Sequence, residues 1–311
     1  MSTSFDELPE ISPAIKNKLI ESGFTSLESI SVAPVREIAE ITGIGQQIIQ
    51  KIVLTAREHL EINFKSAKEI WKRQQETLRI TTGCSKLDTL LNGGIETRSL
   101  TEFFGEFATG KTQLAHQLCV TVQLPPEQGG INSNALYIDA EGTFRPDRII
   151  QIGARFGLNE DVLDHVFFTR AYNSDHQQLI VEKSPQIIEK FNIKIIILDS
   201  IMTHLRAEFV GRGMLSDRQQ KLNKLLHKLH QLAEIYNLAV YITNQVMSSP
   251  GVVFGDATVP TGGNIIGHSS TYRLYLRKSK ANRRIARLID SPCLPEGECL
   301  FIITENGIED P

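Results

Sequence analysis

Two rhythms divide the chain. Over residues 1–60, apolar positions recur at helical spacing in short runs broken by Pro9, Pro13, Gly23, Pro34, Gly43 and Gly45, without strand alternation. From Thr81 onward, compact apolar runs alternate with helical patterns. Strands are predicted at 99–104, 135–139, 166–169, 193–199, 238–243, 271–277, 284–289 and 299–303. The early runs are apolar throughout, as parallel strands covered on both faces require. The last three alternate and follow one another closely, which predicts an antiparallel extension of the sheet. The fold class is therefore α/β, with a mostly parallel central sheet and a small all-α N-terminal domain. Residues 61–80, largely polar around Phe64, Ile70 and Trp71, read as a linker, so the predicted domains are 1–60 and 81–311.

One short string changes the picture from architecture to chemistry. Gly105-Glu-Phe-Ala-Thr-Gly110-Lys111-Thr112 completes G-x-x-x-x-G-K-[ST], after the first predicted strand and before a helical pattern over 113–123. Glycines let backbone N–H groups wrap a phosphate that rests on a helix N-terminus. The expected nucleotide-binding residues are Gly105, Phe107, Ala108, Thr109, Gly110, Lys111, Thr112 and Gln113. Lys111 would reach the terminal phosphates of ATP, and Thr112 would bind the Mg2+ bridging them. Asp199 ends a buried strand and would stand beside Thr112 at that metal. A second strand runs into Asp139-Ala-Glu141, and the longer Glu141 is the preferred general base, with Asp139 the competing carboxylate. Gln245, ending a further strand, can bond a γ-phosphate and report its presence, or merely cap the next loop.

Charge excludes one class and leaves another open. The 311 residues carry 33 Lys and Arg against 36 Asp and Glu, so any nucleic-acid binding must come from local patches. Four patches qualify. The Gly43-Ile-Gly45 turn, between two helical patterns, would expose N–H groups to a DNA phosphate, or simply close a structural hairpin. Segment 205–216 carries Arg206 and Arg212 with Gly211 and Gly213, while 247–267 is a long, nearly uncharged glycine-rich loop. The stretch 277–287 is basic, as a solvated hairpin tip also is. The four cysteines form no C-x-x-C pair, which suits a reducing compartment. No apolar run approaches the roughly 18 residues of a membrane span, and no signal peptide is evident. A soluble intracellular protein is expected.

These residues together resemble the RecA-type strand-exchange recombinases, specifically the archaeal RadA group and its eukaryotic counterparts. The matching strings span nearly the whole chain: YIDAEGTFRPDR (137–148), RAYNSD (170–175), GRGMLSDRQQKL (211–222), TNQV (243–246), TGGNIIGH (261–268) and LIDSPCLP (288–295). The resemblance implies a RecA-type P-loop ATPase core behind a helix-hairpin-helix domain. It implies that Glu141 is catalytic with Lys111 and Gln245, that Arg148 packs over the adenine, and that His268 senses the γ-phosphate. It places Arg206 and Arg212 in a first DNA loop and residues 247–263 in a second, with Asp256 and Pro260 forming a cap over the neighbouring protomer's ATP. Phe64-Lys-Ser-Ala67 matches the family's F-x-x-A polymerisation motif, by which an extended tail adds to the next subunit's sheet edge. The implied partners are single- and double-stranded DNA, further copies in a helical filament or a ring without DNA, and recombination accessory proteins. The implied location is cytoplasmic for an archaeal protein and nuclear for a eukaryotic one. Two departures stand out: Ala108 and Thr109 replace the usual Gly and Ser, and Glu10 and Ser12 replace glycines in the first N-terminal hairpin.

Overall fold

A computed structural model describes residues 11–24, 26–59, 66–248 and 258–311. The chain divides into two compact units, Met1–Arg73 and Gln74–Pro311. In the first, helices α1 (Pro13–Glu21), α2 (Leu27–Val32), α3 (Val35–Thr42) and α4 (Gln46–His59) gather around Leu19, Leu27, Ile30, Ile38, Ile49 and Val53. Gly43, at φ +67, ends α3 in the left-handed conformation, and its N–H bonds Ala39 O. The chain then turns through Ile44 and Gly45 into α4, as the h-G-h-G spacing predicts. The linker is less extended than expected, because α5 (Ala67–Gln74) is a helix. Ser66 and Glu69 cap it reciprocally: Ser66 N–H donates to the Glu69 carboxylate, and Glu69 N–H donates to Ser66 Oγ. Ala67 is thus the first helical residue, and Phe64 lies outside the described residues.

The second unit opens with the short antiparallel pair β1 (Arg79–Ile80) and β2 (Ile95–Glu96), joined through α6 (Ser85–Leu90). Then follow β3 (Leu100–Gly105), α7 (Lys111–Thr121), β4 (Asn134–Asp139), α8 (Pro146–Arg155), β5 (Val166–Arg170), α9 (Ser174–Lys190) and β6 (Ile193–Asp199). Next come α10 (Thr203–Glu208), α11 (Leu215–Tyr236), β7 (Ala239–Asn244), β8 (Val246–Ser248), β9 (Thr258–Pro260) and α12 (Gly263–Ser269). The chain finishes with β10 (Tyr272–Lys278), β11 (Arg283–Asp290), β12 (Gly297–Thr304) and β13 (Gly307–Glu309). The main sheet has the order β13-β12-β11-β10-β3-β7-β6-β4-β5. Strands β10 through β5 run parallel, and β11, β12 and β13 extend the sheet antiparallel.

The continuous apolar runs have a simple cause. Successive strand side chains point to opposite faces, and both faces are covered. Ile195, Ile197 and Tyr241 join one core with α7 and α8, while Ile196, Leu198, Val240 and Ile242 join the other with α9 and α11. Carboxyl ends of β3, β4, β6 and β7 therefore meet at one edge of a doubly covered sheet, where a parallel α/β fold leaves its crevice. Two predicted loops are more ordered than expected. Much of 205–216 belongs to α10 and α11, with Leu205 buried as the anchor. The long glycine-rich loop is shortened by the β8–β9 pair and by α12, leaving 249–257 outside the described residues.

Candidate functional site

The phosphate loop links β3 to α7, and the helix begins at Lys111, two residues earlier than predicted. Gly110 is its N-cap at φ +108 and makes no side-chain cap bond, so first-turn N–H groups remain for a ligand. A Cβ on Gly105 would stand 2.2 Å from Leu276 O, so only glycine fits there. Lys111 Nζ donates to the carbonyls of Gly105 and Glu106, both at 2.8 Å. Burial holds the lysine pKa below its usual value, opposed by the charges of Asp199, Glu141 and Glu106. The loop lines a cleft of about 850 Å³ that also contains Gln113, Glu141, Asp199 and Gln245.

The two strand-end carboxylates of β4 and β6 have different occupations. Asp139 is 2% exposed, and its Oδ1 accepts the N–H groups of Glu141 (2.9 Å) and Gly142 (2.6 Å) and Arg170 Nη1 (2.8 Å). Its Oδ2 accepts Phe144 N–H at 3.2 Å. This carboxylate is consumed in building the turn that carries Glu141. Glu141 instead lines the cleft, where its Oε1 accepts from Thr203 Oγ1 and Gln245 Nε2, both at 2.9 Å. Asp199 is nearly fully buried; it accepts from Tyr137 OH at 2.8 Å, from Thr243 Oγ1, and from Thr112. Burial pushes its pKa up despite those three hydrogen bonds. A buried carboxylate with a hydroxyl beside it fits Mg2+, which takes few protein oxygens and completes its shell with phosphates and water. The residues present therefore fit both the triphosphate and the metal.

Other predicted residues fall into three groups. Gln245 lies in the cleft, and its Oε1 accepts Arg206 Nη1 at 2.9 Å, which places an α10 arginine two hydrogen bonds from Glu141. Arg148 stands behind Gln113, donating to Gln113 Oε1 at 2.9 Å and to the carbonyls of Thr304 and Glu305. His268 is not in this cleft. It lines separate grooves with Asn223, Ser269 and, on one side, His230 and Asp290. Pro260 ends β9 opposite Val246, and Asp256 lies outside the described residues. Arg212 begins a short 3-10 turn before α11. Gly43 and Gly45 belong to the N-terminal unit.

Sequence reasoning missed three participants. Thr203 orients Glu141 and also bonds Ser200 Oγ at 2.7 Å. His116 accepts Arg145 N–H through Nε2 at 3.0 Å, so its Nδ1 carries the proton donated to Thr112 O at 2.7 Å. That histidine ties the first turn of α7 to the turn bearing Glu141, and burial holds its pKa down, in the neutral form this bonding requires. Arg284 lines the cleft from β11. A hydroxyl four residues past Asp199 and a histidine four past Thr112 were legible as spacings, but neither has a motif attached.

Residues 72–311 match the Rad51 family, and residues 3–58 match the SAM-like helix-hairpin-helix tandem. The first match covers well over half of the 311 residues and contains the whole cleft just described. The chain belongs to the Rad51 family.

Proposed function

We propose that this protein is an ATP-dependent DNA recombinase of the archaeal RadA type, which polymerises on single-stranded DNA and exchanges it into a homologous duplex during recombinational repair. Family membership supports recombinase chemistry of the RecA kind, with ATP and Mg2+ as the expected ligands and DNA as partner. Gly110 and the first-turn N–H groups would receive the phosphates, with Lys111 released from the Gly105 and Glu106 carbonyls to bind them. Thr112 and Asp199 would hold Mg2+, which supplies charge neutralisation at the phosphates. Glu141 would orient the attacking water and accept its proton.

A single connection carries the reading: Arg206 to Gln245 to Glu141. It joins a cation of the proposed first DNA segment, and the residue preceding β8 of the second, to the proposed base. A DNA phosphate that draws Arg206 away would free the Gln245 amide, so nucleotide state and DNA grip change together. The separation of His268 from the cleft supports helical assembly, since the proposed γ-phosphate contact of that residue would take a second copy. The edge strand β5, with Phe168 48% exposed, is the surface on which a neighbour's segment around Phe64, ahead of the Ser66 cap of its α5, would add. Among the described residues no helix is long and apolar enough to cross a membrane.

The test is strand exchange by the purified chain with ATP, Mg2+ and DNA, alongside Glu141→Gln. Wild type is expected to exchange strands, and Glu141→Gln to bind ATP and DNA while hydrolysing at least about 100-fold more slowly. ATP binding without strand exchange would reassign the protein as a mediator that assists a separate recombinase.

A further inference from the structure

The phosphate loop leans on the C-terminal strands of the sheet at successive points. Gly105 abuts Leu276 O of β10, and a Cβ on Gly110 would stand 3.0 Å from Ile303 and 3.3 Å from Phe301 of β12. Between those contacts the loop is bound by side chains of the neighbouring strands. Arg284 of β11 donates through Nε to Ala108 O at 3.2 Å, and Lys278 of β10 places Nζ 6.0 Å from the centroid of the Phe107 ring. Phe107 is otherwise 89% exposed. Three strands that carry no part of the phosphate motif thus brace it from one side.

Ala108 makes this bracing consequential. It sits at φ +62, where a residue with a Cβ is disfavoured on the order of tenfold against the ordinary regions. Glycine would adopt this conformation freely. If Ala108 relaxed, the peptide to Thr109 would rotate, and the turn that Thr109 Oγ1 closes on Glu106 O at 2.8 Å would be disturbed. The Arg284 guanidinium meets the Ala108 carbonyl in the left-handed arrangement, and its Nη1 is steadied by Arg283 O at 3.1 Å.

We propose that Arg284 is a positioning residue of the nucleotide site: it holds the Ala108 carbonyl and thereby keeps the phosphate loop in a turn that alanine alone disfavours. The proposal rests on the reading of the cleft as a triphosphate site, but the brace itself is a contact of the chain with itself. Arg284 acts through the loop backbone, while Lys111 and Thr112 meet the phosphates.

The experiment is a double-substitution cycle of wild type, Arg284→Gln, Ala108→Gly and the double variant, using the full chain. Binding is titrated at equilibrium with a fluorescent ATP analogue and Mg2+, and each ligand-free protein is melted. Arg284→Gln is expected to weaken binding by roughly tenfold and lower the ligand-free melting temperature by about 2–4 °C. In the Ala108→Gly background the same substitution is expected to change binding by less than about twofold and melting by less than about 1 °C, because glycine needs no brace. An equal binding loss in both backgrounds would overturn the proposal and make Arg284 a direct phosphate ligand. An unchanged Arg284→Gln protein would overturn it outright. If wild type bound no analogue, the cleft assignment would fail, while the melting cycle would still decide whether the brace exists.

Discussion

Asp139→Asn tests the division of labour between the two carboxylates of the β4 turn. Asn can keep its oxygen at the Oδ1 position, retaining the Glu141 and Gly142 N–H groups. Its amide nitrogen then faces Phe144 N–H at about the 3.2 Å now spanned by a hydrogen bond, donor against donor. Losing that bond and leaving the N–H unpartnered costs about 1–3 kcal/mol. The ion pair to Arg170 is lost as well. Removing one partner of a buried pair costs roughly 3–5 kcal/mol, but Arg170 is 29% exposed and water would recover part of it, so about 1–2 kcal/mol remains. The sum is about 3 kcal/mol, or roughly 6–12 °C in melting temperature for a unit of this size. The turn would also loosen around Glu141, so turnover should fall at least about tenfold while ATP binding stays within about threefold. Calorimetry and a phosphate-release assay under saturating ATP read the two effects. A variant melting within about 2 °C of wild type at unchanged turnover would show that Asp139 does not build this turn.

Further outcomes follow from other contacts. Asp310 accepts the N–H groups of Ser85 and Lys86 and the hydroxyl of Ser85. Its slight burial would raise its pKa, but these bonds outweigh that and bring it down to about 2. A depressed carboxylate stabilises the fold above its unfolded pKa of about 3.9 and loses that contribution as pH falls toward 2. Wild type should therefore outlast Asp310→Asn in thermal melts at pH 6, with the gap closing between about pH 4 and 2; a constant gap would remove the linkage. Phe64→Glu should leave small oligomers by light scattering, and long filaments from that variant would end the docking argument.

How much of this was legible depended on whether the signal was local. Each of the eight predicted strands is found within two residues of its bounds at either end, because the alternation of Ile195 and Ile197 against Ile196 and Leu198 writes burial on both faces into the sequence. Helix α5 is hard to read from the polarity of 61–80, and its one local signal is the capping box Ser66-x-x-Glu69. The short pair β8–β9 was hidden in a glycine-rich stretch, because three-residue strands carry too little periodicity to register. At the site, residues within a motif were visible and those acting across the fold were not. Thr203 meets Glu141 from 62 positions away, and Arg284 meets Ala108 from 176. The sequence argument for Glu141 over Asp139 as the proposed base is reach alone, and the structure adds a second one: Asp139 is already saturated by the turn.

The proposed sharing of one nucleotide between two copies leads to a complementation experiment. The cleft and the two grooves beside His268 have no lining residue in common, so one chain offers the phosphate loop on one surface and the histidine on another. Two unlike surfaces that meet make a heterologous contact, which repeats along an open polymer. Lys111→Ala would then spoil the site that its own cleft forms, and His268→Ala the site on the neighbouring copy. Each variant alone should be nearly inactive in DNA-stimulated ATP turnover. Mixed in equal amounts and allowed to assemble, a random polymer would place an intact cleft against an intact histidine at about one junction in four. Turnover should therefore rise to roughly a quarter of wild type, and dilution below the assembly concentration should abolish the gain. Addition of the two parental rates with no rise would mean that His268 serves the cleft of its own chain or serves none, and the reading of the nucleotide as a joint between copies would have to be withdrawn.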